Sequence, residues 1–343
     1  MEPPAPSVAV VVLNWNNYVE TAHCLNSIRR GAPSSSLRIW VVDNGSEDGS
    51  GERLQRDFPE VTVLFTGSNL GFACGMNAGL REAWRARCDA FLLANNDIEV
   101  SSGFLEQPLE ILRTESDVGI VTGKCLSRAT PGLILHAGGR IDERNLRGVS
   151  RGWNVPDRGQ FEEVCDTQWA SGTCCLVARR TLSEVGFLPE AYFFGYEEYE
   201  YSTRTLRRNL RIVYCPKFVC VHAERASHRI GHPVLNVYNF TLNKFIYARR
   251  NLPASQRRIL ILRYLAYLVV LWPLPPGRAS QHCRTFRDFR CRYKAAWLGF
   301  LDRNTFERVT LEILADAERR IGPSDTWGVS WGRSIPSQSA HGP

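Results

Sequence analysis

The sequence predicts an α/β protein built on a mostly parallel, doubly wound sheet, and three observations carry that prediction. Residues 8–13 read Val-Ala-Val-Val-Val-Leu, an apolar run without alternation, as in a strand buried on both faces. Residues 37–42, 61–65 and 90–94 repeat the pattern. Between these runs, Val19, Ala22, Leu25 and Ile28 recur at helical spacing, and residues 78–86 read as a second helix. Each strand also ends in polar turn formers: Asn14, then Asp43-Asn-Gly-Ser-Glu-Asp-Gly-Ser, then Asn95-Asn-Asp. Strands alternating with helices imply a parallel sheet, and ligands of such sheets bind beyond the carboxyl ends of the strands.

From about Asp117 the pattern changes. Residues 119–122, 133–136 and 168–178 read as strands without regular intervening helices, 195–208 as a helix, and 212–215 and 218–221 as short strands. This divides the main domain, 8–250, into a nucleotide-binding half (8–116) and a mixed acceptor-side half (117–250). Residues 1–7 form a disordered lead with no basic region or cleavage site, so no secretory signal is expected. A basic, partly hydrophobic helical extension follows at 251–321, and a flexible Gly/Ser/Pro-rich tail at 322–343. Residues 259–276 are the most apolar stretch, but Arg263 and Pro273 interrupt it before the ~20 residues a spanning helix needs. Flanking arginines, Trp272 and two tyrosines suit a helix in the membrane interface, with contact through 257–278; packing against the main domain is the alternative.

Of 343 residues, 44% are hydrophobic and 22% charged, which is ordinary for a globular protein. The net charge of +7 is uneven: residues 244–308 hold fourteen Lys/Arg against three Asp/Glu. That region suits a phosphate-rich partner or an anionic membrane surface. No nucleic-acid signature accompanies it, so no nucleic acid partner is expected. Eleven cysteines with no Cys-x-x-Cys are neither a disulfide framework nor a zinc site, and they fit a reducing cytoplasm.

Asp97, just past a buried strand, is placed to hold Mg2+ or Mn2+ against a diphosphate. Alone, Asn95-Asn-Asp is turn chemistry. Its company changes the reading, because Asp43, Asn44, Ser46 and Asp48 follow the second strand of the same sheet. Asn69-Leu-Gly-Phe-Ala-Cys-Gly-Met-Asn-Ala-Gly follows the third, with glycines that let backbone approach a ligand and asparagines that hydrogen-bond one. No Gly-x-Gly-x-x-Gly follows the first strand, and no Gly-x-x-x-x-Gly-Lys with Ser or Thr is present. Nicotinamide dehydrogenases and P-loop NTPases are therefore disfavoured.

Val11-Val-Leu-Asn-Trp-Asn, Val41-Val-Asp-Asn-Gly-Ser-Glu-Asp-Gly-Ser, the 69–79 segment and Leu92-Leu-Ala-Asn-Asn-Asp together resemble family 2 glycosyltransferases. The nearest likeness is to the rhamnosyltransferase-like and galactofuranosyltransferase-like branch. It continues through Ala170-Ser-Gly-Thr-Cys-Cys-Leu-Val-Ala-Arg-Arg and Val185-Gly-Phe-Leu-Pro-Glu-Ala-Tyr-Phe, and covers residues 8–250. The resemblance implies a GT-A fold, a divalent metal, and inverting transfer of a sugar from a nucleoside diphosphate. It implies nucleoside contacts for Asn14 and Asp43, with Asn44 and Ser46 beside them. Asn69, Gly71 and Asn77 fall in its donor loop, and Asn96 and Asp97 in its metal-binding motif.

The family's catalytic base lies in a Glu-Asp pair at a helix start. Here Glu197-Glu198 stand there, making Glu198 the base, one methylene longer than Asp. The plain alternative for acids at this position is a helix dipole, with Glu200 pairing to Arg204. His222 corresponds to a metal-binding histidine after the strand that follows the base helix. Ser227 and His228 fall in a region that contacts donor phosphates, and in Leu242-Asn243 the usual Arg before Asn is missing. Trp169 and Trp153 offer faces for stacking on a sugar, with core packing the ordinary alternative.

The implied activity is transfer of a rhamnose-like or other hexose from a nucleoside-diphosphate sugar to a glycan or lipid-linked acceptor in cell-surface polysaccharide synthesis. The implied location is cytoplasmic, peripheral on the inner face of the membrane. A nucleotidyltransferase is a competing class, but residues 14–18 lack the Gly-rich, Lys/Arg-bearing loop it needs. A non-catalytic nucleotide- or glycan-binding relative is another, and Asp97, Glu197 and Glu198 all being present weighs against it.

Overall fold

The computed structural model describes residues 7–32, 36–143, 145–223, 233–271 and residue 296. Four strands, β1 (Ser7–Asn14), β2 (Ser36–Asp43), β3 (Thr62–Phe65) and β4 (Ala90–Asn95), pair in parallel in the order β4-β1-β2-β3. The unalternating run in β1 has its reason in two layers. Val8, Val10 and Val12 pack with Leu25 and Ile28 of α1 (Tyr18–Gly31), whereas Ala9 and Val11 pack with Met76 and Leu80 of α3 (Phe72–Arg85). A strand with helices on both faces has no side left for water. Helix α2 (Ser50–Asp57) adds Leu54 to the first layer.

Helix α3 starts six residues before the sequence predicts, since residues 72–77 are helical rather than loop. Gly71, at φ 82°, turns the chain there, and the Phe72 amide donates to the Phe193 carbonyl at 2.7 Å. Gly75 and Gly79 bring the helix onto the sheet: a Cβ on Gly79 would stand 2.5 Å from Val11, and one on Gly75 2.6 Å from Leu13. These two glycines serve helix–sheet contact, not backbone approach to a ligand.

β5 (Ile98–Val100), α4 (Glu106–Thr114), which the apolar pattern did not announce, and β6 (Val118–Ser127) lead into the mixed half. β12 (Cys174–Ala178) lies antiparallel between β4 and β6 and joins the two halves into one sheet. It is shorter than the predicted strand over 168–178; residues 168–173 are irregular. β7 (Leu133–Ala137) and β10 (Val155–Pro156) extend the far edge, and β8 (Gly139–Asp142) and β9 (Arg147–Ser150) form a separate hairpin. β11 (Cys165–Thr167) pairs with the last strand, β13 (Arg211–His222), and α5 (Arg179–Glu184) and α6 (Glu197–Arg207) follow β12. The two short strands predicted near 212–221 form one, β13 (Arg211–His222), with a register shift between Cys215 and Val219 where Pro216 supplies no amide donor.

α7 (Pro233–Asn251) packs Tyr238, Leu242 and Ile246 against Tyr192 and Tyr196. α8 (Ala254–Leu271) carries the apolar stretch, and among the described residues no helix is long and apolar enough to cross a membrane. The described cysteines are all free. Ser227, His228, residues 1–6, the greater part of 251–321 and the 322–343 tail lie outside the described residues.

Candidate active site

The ends of β1 and β2 meet in register, Asn14 beside Asp43. Both are buried, and their side chains are turned to each other. Asn14 Nδ2 donates to Asp43 Oδ2 and to Ser50 Oγ, each at 2.8 Å, and lies 3.2 Å from Ser46 Oγ. Asp43 Oδ1 accepts the Ser46 amide at 2.9 Å. One residue on, Asn44 Nδ2 donates to Asn69 Oδ1 at 3.0 Å, Asn44 Oδ1 accepts the Leu70 amide at 3.0 Å, and Asn69 Oδ1 also accepts the Gly71 amide at 2.9 Å. The polar clusters named from the sequence therefore knit one wall. Asn77 is elsewhere: fully buried in α3, it donates to Leu188 O and Glu190 Oε1, each at 2.9 Å, and accepts the Leu188 amide at 3.0 Å. It ties the two halves together and does not line the site.

Asp97 occupies the turn between β4 and β5. β13 pairs with β5 so that His222 opposes Ile98, which sets His222 Nε2 3.0 Å from Asp97 Oδ1. Both residues are buried, at 2% and 4% exposure, and among the described residues neither Asp97 oxygen has a hydrogen-bond partner of good geometry. A buried carboxylate in that state is costly unless something else neutralises it. A carboxylate oxygen facing an imidazole nitrogen is a donor set that suits a divalent cation. Among the described residues no three His, Cys, Asp or Glu side chains converge, so remaining ligands would have to come from substrate or water. Asn96 is held by Thr21, whose Oγ1 accepts from Asn96 Nδ2 at 2.9 Å and lies 2.7 Å from Asn14 Oδ1.

The acid pair opens α6 after two left-handed residues, Gly195 and Tyr196, both at φ 80°. Left-handed backbone at a non-glycine costs energy and persists only where neighbours hold it. Tyr196 is held by its hydroxyl, which donates to Leu146 O at 2.7 Å. The preceding turn is held by Asn243 Nδ2, which donates to Phe194 O at 2.8 Å and Gly195 O at 2.7 Å. That gives Asn243 a bracing role, while Leu242 beside it is core. Burial, with the adjacent Glu198 charge, pushes Glu197 well above the usual carboxylate range. Burial raises Glu198 as well, offset by backbone amides at the helix start. Of the two, Glu197 is pushed further, because the adjacent Glu198 charge adds to its burial. Glu200 does not pair with Arg204 as the helical spacing suggested: it accepts from Tyr192 Oη and faces Arg250, while Arg204 bonds the Val185 and Phe187 carbonyls.

A cavity of about 640 Å³ joins these parts. Asn44, Asn69, Gly71, Asn96, Asp97 and His222 line it, together with Trp169, Glu197 and Glu198. Asn14, Asp43 and Ser46 lie beneath the wall and Asn77 away from it. Trp169 is 8% exposed, edge-on to His136 and Tyr199 at 4.8 and 5.1 Å, and its Nε1 finds no hydrogen-bond partner among the described residues. His136 and the β9 residues Arg147–Ser150 also line the cavity, and sequence reading passed over them. The Asp142 and Asn145 turn formers of the hairpin were the available signal.

The glycosyl transferase family 2 profile matches residues 7–182, half of the chain. The chain belongs to glycosyl transferase family 2. It is similar to the low-salt glycan biosynthesis hexosyltransferase Agl10 of Haloferax volcanii, 21% identical over 240 residues, covering 70% of this chain and 74% of that protein. It is likewise similar to the N-acetylglucosaminyl-diphospho-decaprenol L-rhamnosyltransferase of Mycobacterium tuberculosis, 25% identical over 232 residues, covering 59% and 73%. The solved structure of the mannosyltransferase PcManGT from Pyrobaculum calidifontis in complex with GDP-Man and Mn2+ superposes with a TM-score of 0.50 at 19% identity, over 92% of this chain and 81% of that one. The family 2 glycosyltransferase described here thus has the GT-A fold that its motifs imply.

Proposed function

We propose that this family 2 glycosyltransferase performs inverting, metal-dependent transfer of a hexose-type sugar, rhamnose-like or other, from a nucleoside diphosphate to a hydroxyl of a glycan or lipid-linked acceptor, in cell-surface polysaccharide or glycolipid synthesis. The observation that carries the reading is the convergence, in one cavity, of the Asp97–His222 pair and the Glu197–Glu198 pair. The relatives support the substrate classes: one is named for a diphospho-decaprenol acceptor, and another is solved with GDP-Man and Mn2+.

Asp97 and His222 would hold a Mg2+ or Mn2+ ion, which when bound supplies charge neutralisation for the leaving diphosphate. Asn44, Asn69, Gly71 and Asn96 offer amide and backbone groups to the nucleotide sugar, and Trp169 a face and a donor. Asn14, Asp43 and Ser46 act from beneath by holding Asn44 and its strand end in place. Glu198 takes the proton of the acceptor hydroxyl as that oxygen attacks the anomeric carbon opposite the leaving group. Configuration inverts and no covalent enzyme intermediate forms. Glu197, pushed upward by burial and by its neighbour's charge, favours the state in which the pair carries one charge rather than two. The test is a panel of nucleotide sugars with Mn2+ or with EDTA: nucleotide release from at least one donor, in Mn2+ only, is expected. Folded protein that turns over none of them overturns the reading.

Peripheral attachment at the inner membrane face rests on α8. Ile259, Leu262 and Leu265 are 56%, 66% and 45% exposed at helical spacing, with Arg257, Arg258 and Arg263 among them. Flotation with anionic liposomes at low salt should carry the protein upward, and protein left in the aqueous fraction defeats this part.

A further inference from the structure

Arg147 is the only lysine or arginine among the described residues that line the cavity, whose acids are Asp97, Glu197 and Glu198. The β8–β9 hairpin holds it against the helix that bears the base. Leu146 O receives the Tyr196 hydroxyl, and Gly148 lies so close to Tyr199 that a Cβ would stand 2.4 Å from its ring. Arg147 is therefore clamped between two contacts to residues that flank Glu197 and Glu198 in sequence. Glu198, as base, marks the side from which the acceptor hydroxyl must come, so Arg147 stands on the acceptor side, while the donor diphosphate belongs beside Asp97 and His222.

The Arg147 side chain is 68% exposed, and its ion pair to Asp142 is long, at 3.8 Å. Asp142 is engaged in the hairpin turn, accepting from the Asn145 amide at 3.2 Å and from Asn145 Nδ2 at 2.8 Å. Trp153, which also lines the cavity, is 60% exposed, and an indole so open to water offers a flat face for a ring. The hydroxyls of a neutral glycan offer a guanidinium only uncharged single acceptors, whereas its planar fork matches a phosphate oxygen pair in both charge and geometry.

We propose that Arg147 and Trp153 form an acceptor subsite for a sugar carried on a phosphate or diphosphate, with the guanidinium on the phosphate and the indole against the sugar ring. This rests on the transferase reading above, in which Glu198 faces the acceptor, and it adds the chemistry by which that acceptor is recognised.

The test uses the full chain and two probes, glucosyl octyl diphosphate and neutral octyl glucoside, titrated calorimetrically without donor in EDTA. The wild type should bind the diphosphate probe at least tenfold more tightly than the glucoside. Arg147→Gln should erase that difference, Arg147→Lys restore part of it, and Trp153→Ala weaken both probes by the same factor. Equal binding of the two probes to the wild type, or no binding of either, overturns the proposal. So does an Arg147→Gln variant that keeps the preference, or one that loses the Mn2+-dependent thermal shift given by nucleoside diphosphates, since that loss would put the guanidinium on the donor. The octyl phosphate of glucose, run beside the diphosphate, distinguishes one phosphate from two. The donor panel on the wild type reports separately on the transferase reading: donor turnover with failed probes removes the subsite alone.

Discussion

The half built on β1–β5 and the half built on β6–β13 hold their functional groups by different means. In the first, neighbouring strand ends supply both the groups and their supports: Asn14 holds Asp43, Asp43 holds Ser46, and Asn44 holds Asn69. A parallel sheet brings those ends together whatever the loops do. In the second, the groups hang on partners far away in the chain. Tyr196 reaches Leu146, Asn243 reaches Phe194 and Gly195, and His222 is set beside Asp97 by strand pairing with β5. The difference teaches that the wall proposed for the donor is a property of the sheet, whereas the acids proposed for catalysis depend on a few long-range braces.

The sharpest test of this contrast is Glu198→Gln. Transfer should fall by about 10²–10⁴-fold, the usual contribution of a positioned base, while Mn2+-dependent thermal stabilisation by nucleotide persists. Loss of nucleotide binding instead would break the separation of the halves. Next comes Asn243→Ala, which leaves the buried Gly195 carbonyl without its side-chain donor at a cost of about 1–3 kcal/mol, while the Phe194 carbonyl keeps Asn239 Nδ2. It should lower kcat with little change in donor KM, because the turn before Glu197 loosens and the donor wall does not. Asn77→Leu should cost a similar amount of stability, read by urea unfolding, with donor KM held. A donor KM that rises well beyond that of the wild type would return Asn77 to the donor site.

The smallest effect concerns His136, which burial and the nearby Arg151 hold down at about 3, against an ordinary value near 6.5. Above the ordinary value both folded and unfolded chains carry it neutral, and its contribution to stability is complete. As pH falls from about 6.5 toward the folded value, only the unfolded chain takes the proton, and stability is lost by up to about 1.4 kcal/mol per pH unit. His136→Gln should flatten that acid limb between about pH 7 and about pH 5. An unchanged slope would mean that the acceptor half carries its histidine in contact with water.

The polar wall of the cavity was legible in the sequence because strand periodicity and turn residues are local signals. Asn44, Asn69 and Asp97 were found by their place after apolar runs, and each lines the cavity. Asn77 was misread from the same motif, because a glycine-containing segment looks like loop until the packing of Gly75 and Gly79 on Leu13 and Val11 is known. Glu200 was misread by helical spacing, since Arg204 is drawn off to two backbone carbonyls.

By itself the sequence determined the alternation of strands and helices, the sheet edge that carries polar groups, and the family. Each is written within a few residues, in periodicity, turn chemistry or motif. Only the tertiary structure decided which polar residues face the cavity and which lie beneath it. It also decided that Glu197 is pushed up further than Glu198, and that the hairpin bearing Arg147 packs on the residues flanking the two acids from fifty residues away. These depend on burial and on contacts between distant segments, and a side chain's neighbours along the chain do not specify either.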